Sequence, residues 1–416
     1  MARSPSGGVG VGTSERRARA SAFRLRRVDP PAALDPRADA HRRVMRVVLI
    51  PDLDIEGWRS MDLYAEQLQR WLPQLAPDWD FVSARVPVPA WGSARVFRFA
   101  ARYLVLPWSV ARSSWRADIY HIFDHSYAHV GRWLDRRRTI VTVHDLYPWH
   151  LLTAGGRSAR VCVRNAALRW VLAALREAAH VIADSEFTKS ELVQRLGYPA
   201  DRITVVPLGG DHVPVRSVSE SERAALRDQL DIPRGARFVL HVGSCDERKN
   251  IPTLLHAFSR LRALISEDLW LVQVGGRFTP AHREMMRRLG IASYVRQLSG
   301  LSWERLASVY HMAALLLFPS TYEGFGLPVL EAMRLGTPVV ALAAGAVPEV
   351  IGDAGVLVWD DDAMALAEAA ARVLEDARVR EEIVRKARHR ARAFTWERTA
   401  RRVLDVYRAL AGAQRK

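Results

Sequence analysis

The chain has 416 residues, of which 49% are hydrophobic and 8% aromatic, and this is enough for two packed domains and excludes a disordered protein. No apolar stretch approaches the roughly 18–20 residues that a membrane-spanning helix needs, and no apolar region follows the first arginines as it does in a secretory signal. Two cysteines, Cys162 and Cys245, do not provide a disulfide framework. We therefore expect a cytoplasmic protein.

Of the net charge of +16, an excess of seven lies near the N-terminus, where residues 1–46 hold eleven arginines against four acidic residues. Residues 1–43 are also rich in Gly, Ser, Pro and Ala without apolar periodicity, which predicts a disordered arginine-rich tail. Such a tail is compatible with anionic ligands or nucleic acid. Nucleic-acid or anion binding through the tail is therefore an alternative function, although no nucleic-acid-binding fold signature accompanies it.

Strands and helices are predicted to alternate from residue 44 onwards. Short apolar runs typical of buried strands occupy residues 44–50, 138–143, 180–183 and 202–207. The third run is followed by Asp184 and Ser185, either of which would cap the next helix. Gly209 and Gly210 then mark a natural boundary.

The same pattern restarts after the boundary, with predicted strands over 238–243, 269–274, 315–318 and 338–341 and a helix over about 252–262. Alternation of this kind is typical of parallel sheets with helices on both faces. The expected fold is α/β, with two Rossmann-like domains facing each other across a cleft. We assign residues 44–208 to the N-terminal domain and residues 209–393 to the C-terminal domain.

The segment 318–333 carries the clearest chemical signal in the sequence. Gly324 and Gly326 precede Pro328, which suits the first turn of a helix. A helix N-terminus beneath a glycine loop is an anion site, and a diphosphate suits it. Glu323 and Glu331 flank this loop, and carboxylates accept strong hydrogen bonds from sugar hydroxyls. The alternative reading is a solvated loop with two surface glutamates.

A second signal follows the predicted strand that ends at Gly243. Arg248 and Lys249 stand ahead of the next helix, near the carboxyl end of that strand, where doubly wound folds bind their ligands. A guanidinium and an ammonium there would neutralise a diphosphate and stabilise its charge as it leaves.

Taken in order, these motifs resemble the retaining GT-B glycosyltransferases of family 4, over nearly all of residues 44–411. The family's two glutamates separated by seven residues are matched by Glu323 and Glu331, its arginine–lysine pair by Arg248 and Lys249, and its His-Asp after a strand by His144 and Asp145. Further matches are Ser185-Glu186-Phe187-Thr188-Lys189, Val205-Val206-Pro207-Leu208-Gly209, Phe318-Pro319-Ser320 and Glu349 after Val347-Pro348.

The resemblance implies a role for each matched residue. The catalytic set would be His144, Glu323, Arg248 and Lys249, with His144 reaching the reacting sugar from the N-terminal side. The donor, a nucleoside-diphosphate sugar, would contact Gly243, Arg248, Lys249, Glu323, Gly324, Phe325, Gly326, Leu327 and, through its ribose, Glu331. Asp145 and Gly57 would line the N-terminal side of the cleft. The family's usual double glycine is absent here, and Gly57 is followed by bulky Trp58.

The resemblance also implies a metal-independent enzyme without a cofactor, which transfers a hexose to a hydroxyl of a glycan, a lipid-linked molecule or a small molecule in cell-surface polysaccharide or glycoconjugate synthesis. GDP-mannose and a UDP-hexose are equal candidates for the donor. A non-hydrolysing nucleotide-sugar epimerase of similar fold is the alternative enzyme. By the same resemblance, the helix predicted over 394–411 crosses back and packs on the N-terminal domain.

Residues 91–116 contain five arginines and no acidic residue. On a regular helix Arg95, Arg98 and Arg102 share one face, while Phe97, Ala100 and Leu104 lie on the opposite one. Two interpretations remain open: a basic amphipathic helix that lies on an anionic membrane surface, at the inner face of the membrane, or an ordinary domain helix with a solvated arginine face.

Overall fold

The computed structural model describes residues 44–84, 95–112, 116–147, 149, 152, 159–266 and 268–413. Within these ranges, one unit, Met45–Lys416, holds two parallel six-stranded sheets with helices packed against them. This confirms the predicted α/β class. The predicted tail over residues 1–43 lies outside the described residues.

The strands of the first sheet follow the spatial order β2-β1-β3-β4-β5-β6, and each neighbouring pair is parallel. These strands are β1 (Arg46–Ile50), β2 (Asp80–Ser83), β3 (Ile119–Ile122), β4 (Thr139–Val143), β5 (His180–Ala183) and β6 (Ile203–Val205). The accompanying helices are α1 (Arg59–Leu75), α2 (Arg95–Ala100), α3 (Leu106–Arg112), α4 (Ala159–Leu175) and α5 (Glu186–Leu196). Strand β4 is buried along its whole length, as expected where helices cover both faces of a parallel sheet.

The strands of the second sheet follow the order β9-β8-β7-β10-β11-β12, again with parallel neighbours. These are β7 (Arg237–Gly243), β8 (Leu269–Gly275), β9 (Val295–Leu298), β10 (Leu315–Phe318), β11 (Val339–Leu342) and β12 (Val356–Val358). The helices are α6 (Glu220–Leu230), α7 (Ile251–Leu264), α8 (Pro280–Arg288), α9 (Trp303–Met312), α10 (Leu327–Leu335), α11 (Val347–Ile351), α12 (Ala363–Glu375), α13 (Ala377–Ala391) and α14 (Trp396–Ala413). The strand order reverses between β7 and β10, and at such a point an open α/β sheet binds its ligands.

Four strands were not predicted from the sequence. Strands β2, β9 and β12 lie at sheet edges and are only partly buried, so they lack the continuous apolar run of a central strand. Strand β3 is central and fully buried, but His121 interrupts its apolar residues.

The predicted faces of the arginine-rich helix are wrong at two positions. Helices α2 and α3 are joined by a π-helical turn, Ala101–Val105, which adds residues to one turn and so rotates the faces relative to a regular helix. Arg102 therefore points into the domain, where its Nη2 lies 2.9 Å from Glu56 Oε1 and its guanidinium stacks over the Tyr127 ring. Leu104, predicted to share the apolar face with Phe97 and Ala100, is 67% exposed. Residues 91–94 and 113–115 of this segment lie outside the described ranges.

Helix α14 returns from the second sheet and packs against α1 of the first domain. Its first residue, Trp396, lies against Gly209 so closely that a Cβ on this glycine would be 2.2 Å from the Trp396 amide nitrogen. Thr399 Oγ1 donates to the Pro207 carbonyl at 2.8 Å. The chain passes between the domains twice, once after β6 and once before α14. These two connecting segments are therefore packed against each other.

A fully buried chain of hydrogen bonds ties α14 to the first sheet. The Tyr407 hydroxyl lies 2.6 Å from His121 Nδ1, His121 Nε2 lies 2.7 Å from Thr142 Oγ1, and Thr142 Oγ1 lies 2.9 Å from the Tyr64 hydroxyl. Burial lowers the pKa of His121 to about 3, so its ring is neutral at physiological pH. These four side chains satisfy one another where water does not reach.

We predict that Tyr407→Phe lowers the free energy of unfolding by roughly 1–3 kcal/mol, because it leaves His121 Nδ1 buried without a partner. Urea unfolding measures the change. Tyr294→Phe, which removes the hydroxyl of a half-buried tyrosine in the second domain, is the matched control and should cost less than about 0.5 kcal/mol. Equal stability of the Tyr407 variant and the wild type would contradict the role of this hydrogen-bond chain.

Candidate active site

Two loops meet where the strand order of the second sheet reverses. The first follows β7 and contains a 3₁₀ turn, Glu247–Lys249, which ends at Asn250 in a left-handed conformation and leads into α7. The second follows β10 and leads into α10. The amide of Thr321 in the second loop donates to the carbonyl of Arg248 in the first at 2.9 Å. The predicted arginine–lysine pair and the predicted glutamate loop are thus held together by the backbone.

Three of the predicted residues form one charged cluster in these loops. Lys249 Nζ donates to Glu323 Oε1, and Arg248 Nη1 lies 3.5 Å from Glu323 Oε2. Lys249 and Glu323 are both buried. Burial by itself would raise the pKa of Glu323, but Lys249 and Arg248 outweigh it and hold that pKa below its usual value. The cluster therefore keeps an ionised carboxylate beside two cations at the carboxyl end of the sheet.

The glycine loop connects this cluster with α10. Gly326 has a φ of +100°, which favours glycine, and serves as the N-cap residue of the helix, with a proline in the first turn. Phe325 turns inward and packs near the ring of Phe394 at 6.1 Å between centroids. Leu327, the first residue of α10, is half-buried. Phe325 and Leu327 therefore anchor the loop, whose backbone N–H groups at the helix start suit an anion.

The two domains approach each other closely at Gly324. A Cβ on Gly324 would lie 1.8 Å from the carbonyl oxygen of His144, which follows β4 of the first sheet. Gly243 meets a similar but milder constraint, because its Cβ would lie 3.4 Å from the Lys249 side chain. A larger residue at position 324 would push the two sides of the cleft apart.

Glu331 lies one turn inside α10 and is held by two partners that the sequence did not suggest. His212 Nε2 donates to its Oε1 at 2.9 Å, and the Tyr310 hydroxyl donates to its Oε2 at 2.6 Å. Trp396 Nε1 donates to the other ring nitrogen of His212 at 3.3 Å, which fixes the tautomer of His212. A carboxylate has about four acceptor positions, so Glu331 keeps capacity for ligand hydroxyls.

His144 is buried, and both of its ring nitrogens are engaged within the first domain. Nδ1 lies 2.6 Å from Asp184 Oδ2, and Nε2 lies 2.9 Å from the carbonyl oxygen of Phe123. Burial would lower the pKa of His144, but Asp184 outweighs this and raises it to about 9. The ring is therefore a cation that donates two hydrogen bonds and has no lone pair for a substrate proton. In this arrangement its backbone carbonyl, rather than its ring, meets the glycine loop.

The two residues predicted for the N-terminal side of the cleft differ in their placement. Asp145 Oδ2 lies 3.9 Å from Arg248 Nη1, so Asp145 faces the charged cluster across the domain boundary. Gly57 has a φ of +67°, is exposed, and would meet no atom within 4 Å if it carried a Cβ. The backbone conformation of the loop before α1, and not a close approach, thus accounts for this glycine.

Family models match both halves of the chain. The model described as Glycosyltransferase Family 4 matches residues 77–212, and the model described as Glycosyl transferases group 1 matches residues 222–390. The chain belongs to glycosyltransferase family 4. This confirms the family inferred from the paired glutamates and the arginine–lysine pair.

Two curated relatives match the chain over part of its length. O-antigen chain mannosyltransferase B of Escherichia coli is 32% identical over 55% of this chain and 60% of that protein. D-inositol 3-phosphate glycosyltransferase of Salinispora tropica is 34% identical over 56% of this chain and 51% of that protein. The chain thus spans about half the length of the curated relatives it matches.

The fold of this family 4 chain is GT-B, as the solved structures show. Sucrose-phosphate synthase from Thermosynechococcus elongatus superposes with a TM-score of 0.70 over 89% of this chain and 100% of that one, at 24% identity. At this identity the likeness concerns the fold alone.

The sequence did not predict the hydrogen-bond partners of Glu331 and His144. His212 and Tyr310 are 119 and 21 residues away from Glu331. Asp184 has a signal in the sequence, since it directly follows a strand of the same sheet as His144, but the local pattern predicts only a helix cap at this position. Ser185 is the residue that caps α5, and Asp184 holds His144 instead.

The protonated state of His144 leads to a prediction for stability against pH. Its pKa is raised in the folded protein to about 9 from 6.5, so its contribution is fully present below pH 6.5 and is lost as the pH rises through 9. The free energy of unfolding should therefore decline between these values, and the decline should be smaller in His144→Gln. Urea unfolding at several pH values between 6 and 10 tests this, and identical pH profiles for both proteins would refute it.

Proposed function

We propose that this protein is a retaining glycosyltransferase that moves a hexose from a nucleoside-diphosphate sugar to an acceptor hydroxyl. The observation that carries the proposal is the cluster of Arg248, Lys249 and Glu323 beside the glycine loop at the start of α10. Cations for a diphosphate, an anion-binding helix start and carboxylates for hydroxyl groups lie together at the point where such a sheet binds ligands.

Each residue of the cluster has a distinct part in the proposed reaction. Arg248 and Lys249 bind the donor diphosphate and stabilise the charge that develops as it leaves. Glu323 accepts hydrogen bonds from the transferred sugar, and Glu331, held by His212 and Tyr310, accepts them from the ribose. Asp145 extends the site toward the N-terminal domain, while His144 holds the facing loop in place.

The proposed chemistry is transfer on one face of the sugar without an enzyme nucleophile. The bond from the anomeric carbon to the phosphate oxygen breaks, and its electron pair leaves with the nucleoside diphosphate. The acceptor oxygen bonds to the same face of that carbon, and its proton passes to the departing phosphate. In this scheme the protein contributes positioning and charge stabilisation. No residue is required as a base, which agrees with a His144 ring that has no free lone pair.

The names of two matched relatives support a hexose as the transferred group. One is named a mannosyltransferase of O-antigen chains and the other a glycosyltransferase of inositol 3-phosphate. A hexose of the mannose or glucose type, carried on GDP or UDP, is therefore the proposed donor group. The acceptor is a glycan, a lipid-linked molecule or a small molecule, in cell-surface polysaccharide or glycoconjugate synthesis.

A thermal-shift screen of nucleotide sugars, followed by transfer of radiolabelled sugar, tests this function. A donor that binds the folded protein raises its melting temperature by mass action. Radiolabel should then pass from GDP-mannose or a UDP-hexose to an acceptor with release of GDP or UDP. Conversion of the donor to its epimer, without transfer or release of nucleotide, would instead support the alternative epimerase.

The two glutamates should separate nucleotide binding from turnover. Glu331→Gln should weaken binding of the free nucleoside diphosphate at least tenfold, because it removes a charge-assisted contact worth roughly 1.5–3 kcal/mol. Glu323→Gln should reduce turnover while nucleoside diphosphate affinity stays within about threefold, since Arg248 and Lys249 remain. Isothermal titration and initial rates measure the two effects.

The exposed Glu368→Gln variant on α12 is the matched control and should leave both quantities unchanged. Wild-type nucleotide affinity in Glu331→Gln would refute the assignment of Glu331 to the nucleotide.

We also propose that the segment formed by α2, the π turn and α3 contacts an anionic membrane surface. Phe99, Leu104, Val105 and Trp108 are 47%, 67%, 41% and 61% exposed, and across a π turn residues five apart face the same side. Arg112 stacks over the Trp108 ring, so a cation accompanies the apolar group. Aromatic and aliphatic side chains beside arginines suit the boundary between headgroups and acyl chains. Among the described residues, no helix has the length and apolarity to cross a bilayer.

Sedimentation with vesicles of phosphatidylcholine and phosphatidylglycerol tests the membrane contact. The double variant Leu104→Ser and Trp108→Ser should bind these vesicles at least fivefold more weakly than the wild type, because it removes buried apolar area from the contact. Trp359→Ser, which changes an even more exposed tryptophan in the second domain, is the control and should bind as the wild type does. Equal binding of all three proteins would contradict the proposed surface.

A further inference from the structure

The N-terminus of α5 is completed by a residue of the other domain. Ser185 caps the helix within its own domain, since its Oγ accepts from the Thr188 amide at 3.1 Å. The amides of Glu186 and Phe187 have no acceptor within the helix. Both donate to the carboxylate of Glu349, at 2.8 Å and 2.6 Å, although Glu349 lies more than 160 residues further along the chain.

We propose that Glu349 is a positioning residue that holds the two domains in the geometry needed for transfer. We call its two hydrogen bonds to the amides of Glu186 and Phe187 the clasp. A carboxylate that accepts from two amides at a helix start is also favoured by the helix dipole. The backbone around Glu349 is fixed to its own domain, because Arg390 donates to the carbonyls of Glu349 and Val350, each at 2.7 Å. The carboxylate therefore joins two firmly held elements, α5 of the first domain and α11 of the second.

The clasped helix also touches the glycine loop directly. Ser185 Oγ donates to the Gly324 carbonyl at 2.7 Å, and Thr188 Oγ1 lies 3.3 Å from the same oxygen. Tyr322, which directly precedes Glu323, donates a hydrogen bond from its hydroxyl to the carboxylate of Glu191 on α5. A shift of α5 relative to the second domain would therefore move the loop that carries Glu323. This gives the Ser185–Lys189 motif a role, which is to hold the loop from across the cleft.

The inference rests on the proposed transferase function for its kinetic consequence but not for the contact itself. Arg248, Lys249 and Glu331 all belong to the second domain, so loss of the clasp should leave binding of a nucleoside diphosphate unchanged. Turnover should fall, because the acceptor side and the donor side are no longer held in register. A decrease in kcat without a change in nucleotide affinity distinguishes positioning from a general loss of structure.

Hydrogen–deuterium exchange of the full-length protein tests the contact, and steady-state kinetics test its role. In Glu349→Gln and Glu349→Ala the amides of Glu186 and Phe187 should exchange at least threefold faster than in the wild type. The value of kcat with the radiolabelled donor should fall at least threefold, while the Kd for GDP or UDP stays within twofold. Glu368→Gln should match the wild type throughout.

Unchanged exchange at these two amides would overturn the clasp. Faster exchange with unchanged kcat would overturn its positioning role. If the wild type transfers no sugar from any donor, the proposed function and this positioning role both fall, whereas the exchange experiment still decides whether the contact exists.

Discussion

The buried ion pair between Lys249 and Glu323 is the interaction around which the site is arranged. It joins the loops that follow β7 and β10, the two strands at which the order of the second sheet reverses. A buried charge is costly unless a partner compensates it, so neither loop can leave the other without exposing an unpaired charge. Arg248 directly precedes Lys249 in the chain, and the glycine loop and the start of α10 directly follow Glu323.

In the first domain, too, buried polar and charged groups are compensated by partners. His144 carries a proton because Asp184 compensates its charge, and the ring then orients two backbone segments rather than reacting itself. Around it, Tyr64, Thr142, His121 and Tyr407 form a linear chain of hydrogen bonds that reaches α14. Buried polar contacts thus link the ends of β3, β4 and β5 on the first domain's side of the cleft.

The domains are joined by small, specific contacts rather than by charge pairs alone. Gly324 leaves just enough room for the carbonyl of His144, Ser185 binds the carbonyl of Gly324, and Glu349 completes the start of α5. The chain also crosses back to the first domain through helix α14, which packs on α1. In the proposed transfer, such contacts would set the distance between a donor bound by one domain and an acceptor bound by the other.

The sequence by itself determined the strand–helix alternation, the family and the residues of the charged cluster, because these depend on local apolar runs and on short motifs with fixed spacing. It did not reveal β3, whose His121 becomes compatible with a buried strand through hydrogen bonds to Thr142 and to Tyr407, which is 286 residues away. Nor did it show that Arg102 turns inward, because a π turn changes the helical period on which the predicted faces relied.

The partners of Glu331, the proton on His144 and the contact of Glu349 with α5 were decided only by the tertiary structure. Each is an interaction between groups that are far apart in the chain, and its strength depends on burial and distance, which no local pattern encodes.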